Sequence, residues 1–157
     1  ALTEAWAALP SSSHNHFMLG HITEWFYAGL AGIQVDPAAP GWKKFIIKPA
    51  VVGDLTWVKA HYDSPYGRIV SHWKREDGKL TMDVTIPPNS TATIYVPVAS
   101  KPGEDGPTKD TASVSESGKP ATKAVGVKFL RMENNAAVYA VGSGTYQFQS
   151  ALTKTAK

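Results

Sequence analysis

Near the start of the chain the apolar positions Leu19, Ile22, Trp25, Phe26, Leu30 and Ile33 recur at steps of three and four, the period of an amphipathic helix. Met18 and Tyr27 widen this stripe, while Thr23, Glu24 and Ala28 fall on other faces. Ser13 or Asn15 is available as an N-cap, and Asp36-Pro37 and Pro40-Gly41 stop the helix firmly. Gly29 and Gly32 are small enough for another backbone to approach, or for the helix to end there. No second helix of similar strength follows. So apolar a helix needs neighbours, and the pattern predicts that it packs both on the β-structure downstream and on a partner outside this chain.

From Trp42 onward the period changes to two. Phe45-Ile46-Ile47-Lys48 reads as a short strand ended by Pro49, and residues 55–62 alternate. Asp63-Ser64-Pro65-Tyr66-Gly67 is turn chemistry, residues 68–75 form a strand, and Glu76-Asp77-Gly78-Lys79 is a hairpin turn. Residues 80–86 alternate cleanly between apolar and polar, the mark of a half-buried antiparallel strand, and residues 91–97 follow after Pro87-Pro88-Asn89. Residues 99–110, rich in Lys, Pro, Gly, Asp and Glu, read as an exposed loop. Further strands are predicted at 113–116, 127–132, 136–141 and 145–149, with a polar, frayed tail from Leu152. Several short strands with regularly spaced turns make an antiparallel β-sandwich. The fold class is therefore mainly β, a sandwich preceded by a helical segment.

Composition narrows the function classes. With 157 residues, 43% of them hydrophobic and 18% charged, the chain can bury one domain core. The net charge of +3 is spread over scattered lysines and arginines, which predicts a solvated surface and no nucleic-acid partner. Without cysteine there are no disulfides and no thiolate metal sites. No apolar run approaches the roughly 20 residues of a membrane helix. The opening Ala-Leu-Thr-Glu lacks the form of a signal peptide, as if the chain were entered in mid-domain.

Candidate chemistry gathers at the start. Glu4 lies between small residues and the indole of Trp6, followed by His14, His16 and His21. On residue type alone, Glu4 is a terminal surface glutamate or a general base, and His16 is a capping or core histidine or a ligand contact. Trp6 stacks on a sugar or fills a core. Three imidazoles can bind zinc, but His14 and His16 point to different sides of a helix, so no metal site is assigned. Glu24 reads as half of a structural ion pair. In the β-region Trp57, Tyr62, Tyr66 and Trp73 suggest either a carbohydrate platform or the two inner faces of a sandwich with one aromatic corner.

Five stretches, in this order, carry a resemblance to a known family: TEAW, HNHFMLGHITEWFYAGLAGI, LTWVKAHYDSPYGRIVSHW, VTIPPNSTATIYVP and GVKFLRMENNAAVYAVGSGTYQF. They resemble the C-terminal end of the bacterial α-L-rhamnosidases of glycoside hydrolase family 78. The resemblance implies a large multidomain glycosidase whose catalytic domain is an (α/α)6 barrel followed by a C-terminal β-sandwich. On that view residues 1–36 are the last helical segment of the barrel, 37–151 the sandwich and 152–157 the tail. A dozen barrel helices of about 11–12 residues would take on the order of 140 residues before any loop, so the chain looks like a C-terminal fragment or one part of a cleaved enzyme.

The resemblance also implies roles. Family members are inverting hydrolases with two carboxylic acids roughly 6.5–9.5 Å apart, one protonating the leaving oxygen and the other activating water. Glu4 matches the glutamate of the family's Glu-x-Trp element, the general base. Thr3, Ala5 and Trp6 would desolvate it and raise its pKa. His16, after Asn15, matches the Asn-His motif of the rhamnose subsite, and Trp6 is a candidate stacking surface. The general acid comes from upstream and matches nothing here, so the fragment alone is expected to be inactive. The implied substrate is a rhamnose-containing glycan or glycoside. The implied protein partner is the upstream barrel, with no cofactor, and the location is periplasmic or secreted.

Overall fold

In the computed structural model, residues 3, 5–7, 9–16, 20–99 and 114–152 are described. A short α-turn, α1 (Ile22–Glu24), continues as a π-helical segment over Trp25–Leu30. The strands follow as β1 (Ile33–Val35), β2 (Lys44–Ile47), β3 (Trp57–Ser64), β4 (Gly67–Glu76), β5 (Lys79–Ile86) and β6 (Thr91–Pro97). The chain then runs through β7 (Ser115–Glu116), β8 (Lys119–Pro120), a 3-10 turn at Ala121–Lys123, β9 (Val127–Glu133), β10 (Ala136–Val141) and β11 (Gly144–Ala151).

These strands make the expected sandwich. One sheet has the order β1-β2-β6-β10-β9 and the other β3-β4-β5-β11-β7-β8. Alternation decides which side chains face inward. In β5 Leu80, Met82, Val84 and Ile86 are buried, while Lys79 and Asp83 face water. Opposite them Phe45, Ile47, Ile94, Val96 and Tyr139 close the core, with Trp73 and Phe148 the other large buried rings. Each such side chain contributes about 1.5–3 kcal/mol of burial. The Asp77-Gly78 and Asn134-Asn135 turns have positive φ at both positions, as two-residue hairpins with the twist of their strands require.

Three features depart from the sequence pattern. β2 runs parallel to β6, in register Lys44↔Thr91 to Ile47↔Ile94, within otherwise antiparallel sheets. The intervening β3, β4 and β5 belong to the other sheet and supply the crossover that a parallel pair needs. Ile33, expected on the helix, lies instead in β1 and pairs with Ile47. The helix described begins only at Ile22, after His21, whose side chain makes no capping bond; Ser13 and Asn15 stand well before it. The loop expected at 99–110 falls almost wholly outside the described residues, as does the tail beyond Leu152.

Candidate functional site

The segment that carries the candidate chemistry is anchored at its C-terminal end. Five successive carbonyl oxygens, those of residues 28–32, each accept a hydrogen bond from a different donor further along the chain. Gln34 Nε2 donates to Ala28 at 2.8 Å, and the Ala50 N–H to Gly29 at 3.0 Å. Trp73 Nε1 donates to Leu30 at 2.8 Å, Ser71 Oγ to Ala31 at 2.6 Å, and the Lys48 N–H to Gly32 at 2.9 Å. The last carbonyls of a helix have no intrahelical partner, and here the sandwich supplies one for each. The Ala31 N–H reaches back to the Phe26 carbonyl at 3.0 Å, which closes the wide π-turn. Gly32 sits at φ +75° with the Lys48–Pro49 peptide directly against its Cα, so both roles foreseen for it, helix end and close approach, hold.

Away from this anchor the helical segment is bare. Leu30 and Ala31 are buried, but Ile22, Trp25, Phe26 and Tyr27 are each 42–54% exposed. The expectation that the helix faces two ways thus holds on the sandwich side, and its other apolar face is left open. Phe26, Tyr27 and Leu30 line a shallow groove of about 400 Å³ with Trp57, Val58 and Ala60 of β3.

Glu4 lies outside the described residues. Trp6 is fully exposed and His16 is half-buried. His14 makes a ring-nitrogen hydrogen bond with the Leu9 carbonyl at 2.9 Å. The ion pair expected at Glu24 does not form among the described residues, and Glu24 is exposed. No group of three metal-ligating side chains comes together among them.

The four sandwich aromatics do not form a platform. Trp73 is 2% exposed on the inner face of β4, Tyr62 stacks on Trp42 with centroids 4.4 Å apart, and Trp57, 59% exposed, points outward. Tyr66 sits in the turn at the far end of β3. Trp73 reads in the sequence as a sugar surface or core filler; in the structure its indole N–H serves the helix end. Alternation shows that a residue faces inward, but not which polar atom awaits it.

The titratable groups in the sandwich are held by structural partners. A hydrogen bond from Arg68 keeps the Asp63 carboxyl below its ordinary value, and Arg131 does the same for Glu133. Lys48 reaches Glu133 at 3.6 Å and lies over the Tyr95 ring, while Arg131 donates to the Tyr95 hydroxyl. Burial, then Lys59, lowers His72, with Asp83 opposing. Burial pushes Tyr139 up to about 12. None of these makes the pair of facing carboxyl groups that glycoside hydrolysis requires.

Residues 32–111, half of the chain, match the family model described as the bacterial alpha-L-rhamnosidase C-terminal domain. The chain belongs to that family. It is 31% identical over 137 residues to an alpha-L-rhamnosidase of Streptomyces avermitilis, a match covering 87% of this chain and 11% of that protein. A second alpha-L-rhamnosidase, from Formosa agariphila, is 29% identical over 147 residues, 94% of this chain and 15% of the relative. Among solved structures, the Streptomyces avermitilis alpha-L-rhamnosidase complexed with L-rhamnose superposes with a TM-score of 0.73 at 26% identity, over 95% of this chain and 13% of that one. The alpha-L-rhamnosidase of Dictyoglumus thermophilum gives 0.73 at 31% identity, over 96% and 16%. This rhamnosidase C-terminal domain, with its helical lead-in, thus spans between about a tenth and a sixth of the relatives' lengths.

Proposed function

We propose that the chain is the C-terminal part of an inverting α-L-rhamnosidase that hydrolyses terminal α-L-rhamnose from glycans or glycosides, in the periplasm or outside the cell. The observation that carries this reading is the extent of the likeness. A superposition over 95% of the chain on a rhamnosidase solved with L-rhamnose leaves room for few unmatched residues, so it takes in the helical lead-in as well as the sandwich. The lead-in is where Glu4, Trp6 and His16 stand.

On this reading Glu4 is the general base. Its carboxylate takes a proton from a water molecule as that water's oxygen bonds to the anomeric carbon, from the face opposite the leaving group. A carboxylic acid from the rest of the protein gives its proton to the departing glycosidic oxygen, and the configuration inverts. His16 hydrogen-bonds the sugar and the exposed Trp6 offers it an apolar face. The open face of Ile22, Trp25, Phe26 and Tyr27 packs against the upstream catalytic barrel, whose end is the helical lead-in up to Ala31, since Ile33–Val35 joins the sandwich sheet. The sandwich serves as a buttress, a role favoured by its five hydrogen bonds to the helix end and by the dispersal of its aromatic side chains.

The test is a Glu4→Gln change in the longer enzyme, assayed on an aryl α-L-rhamnoside. Loss of a general base costs about 10²–10⁴-fold in kcat, and NMR of the wild-type reaction should show the β-anomer of rhamnose first. Retained activity, or the α-anomer as first product, refutes the assignment. The 157-residue chain alone should release no rhamnose.

A further inference from the structure

The inner face of β4 carries two polar groups that its own sandwich does not need. Ser71 is 1% exposed and Trp73 2%, among side chains that are mostly apolar. A buried hydroxyl or indole N–H without a partner is unfavourable, and both of these find one. The partners are the Leu30 and Ala31 carbonyls, 43 and 40 residues earlier in the chain. Gln34 adds a third side-chain donor, on the Ala28 carbonyl, from β1.

We propose that Ser71 and Trp73 are positioning residues for the rhamnoside site, an inference that rests on the function proposed above. Three side-chain donors, on the carbonyls of residues 28, 30 and 31, together with the backbone bonds from Ala50 to Gly29 and from Lys48 to Gly32, fix both the axis and the rotation of the helix end. Ile22 to Leu30 is nine residues, a lever of at most about 13 Å at the 1.5 Å per residue of an α-helix, the wider π-turns rising less. A swing of about 5° at the anchored end would therefore move the other end by roughly 1 Å, a misplacement that can cost on the order of 10²-fold in rate. His16 stands in the segment leading into that far end, and Glu4 earlier still. The sandwich acts on the chemistry through the helix, without touching the sugar.

The experiment uses the longer enzyme carrying this segment. Ser71→Ala and Trp73→Phe together remove both donors and keep most of the packing. Gln34→Met removes the third donor at a half-buried position outside the core. With each protein held well below its melting temperature, kcat and KM are measured on an aryl α-L-rhamnoside, together with the inhibition constant of free L-rhamnose. The expected result is a fall in kcat of about tenfold or more for the double variant and about threefold for Gln34→Met, with a raised inhibition constant in both. A merely structural role lowers the melting temperature and leaves all three constants as in the wild type, and that result overturns the proposal. Should the double variant not fold, Gln34→Met decides: unchanged kcat and inhibition constant overturn it. A wild-type enzyme that cleaves no α-L-rhamnoside overturns the functional reading and this inference together. Cleavage that all the variants match overturns this inference alone.

Discussion

Gly32 is the position where adding one carbon should do the most harm. A Cβ built there would lie 2.2 Å from the Lys48 carbonyl carbon and the Pro49 nitrogen, and 2.6 Å from the Lys48 oxygen. Non-bonded carbons settle at about 3.5–4.0 Å, so the two backbones would have to part by more than about 1 Å. That movement breaks the 2.9 Å bond from the Lys48 N–H to the Gly32 carbonyl, at about 1–3 kcal/mol for groups left unsatisfied. The φ of +75° adds about 1–2 kcal/mol for any residue with a Cβ. Gly32→Ala should thus lose about 2–5 kcal/mol, or on the order of 10 °C in melting temperature at about 2–4 °C per kcal/mol for a domain of this size. Gly53 is the control, with φ +57° and nothing within 4 Å of its Cβ position, so Gly53→Ala should lose only the left-handed term. Thermal and urea unfolding of the 157-residue chain, followed by circular dichroism, measures both. Equal losses at the two glycines would show that the close approach of the two backbones carries no weight.

Three further outcomes are expected. Tyr139 Oη is buried with no hydrogen-bond partner among the described residues, so Tyr139→Phe should leave stability unchanged or raise it by up to about 1 kcal/mol in denaturant unfolding. Burial raises the Tyr139 hydroxyl from 10.0 to about 12, so the folded chain keeps a proton that the unfolded chain has lost. The wild type should therefore lose stability as pH rises from 10 to 12, by about 2 kcal/mol at most, and the Phe variant less; equal slopes would refute the assignment. Phe26→Ser with Tyr27→Ser should leave the unfolding midpoint of the 157-residue chain within a few degrees and reduce its binding of an apolar dye, since both rings face water here. On the proposed function the same pair should destabilise the longer enzyme, whose upstream barrel would cover the open face.

The sandwich was legible because a strand with one buried face writes its burial into every second residue. β5 lies where the alternation puts it, and the Asp77-Gly78 turn declares itself by its chemistry. Neighbours are another matter. Nothing in Phe45-Ile46-Ile47 says that β2 pairs with β6, or that it does so in parallel, because the inward-facing set is the same in either direction. Ile33 fits both the helical period and a strand, and its pairing with Ile47 decides in favour of the strand. The candidate site was legible only by resemblance: one glutamate beside a tryptophan carries no physical signal of its own. The helix anchor was hidden for a different reason. Ser71 and Trp73 look like ordinary inward positions, and their carbonyl partners belong to backbone, which a sequence does not display.

The anchored helix end also sets an order of events during synthesis. Residues 28–32 leave the ribosome before any of their five donors, and β4, which carries Ser71 and Trp73, finds its sheet only when β5 and finally β11 arrive. Between Leu30 and Ala151 lie some 120 residues, so at about 5–20 residues per second the helix waits roughly 6–24 s for a complete sandwich. Throughout that interval the Leu30 and Ala31 carbonyls lack their Trp73 and Ser71 donors, and the tryptophan, phenylalanine and tyrosine rings of the helix are open to chaperones and to other nascent chains. Gln34, Lys48 and Ala50 emerge soon after the helix, but the Ser71 and Trp73 donors that make the finished joint firm come into place only with the sheet of β4.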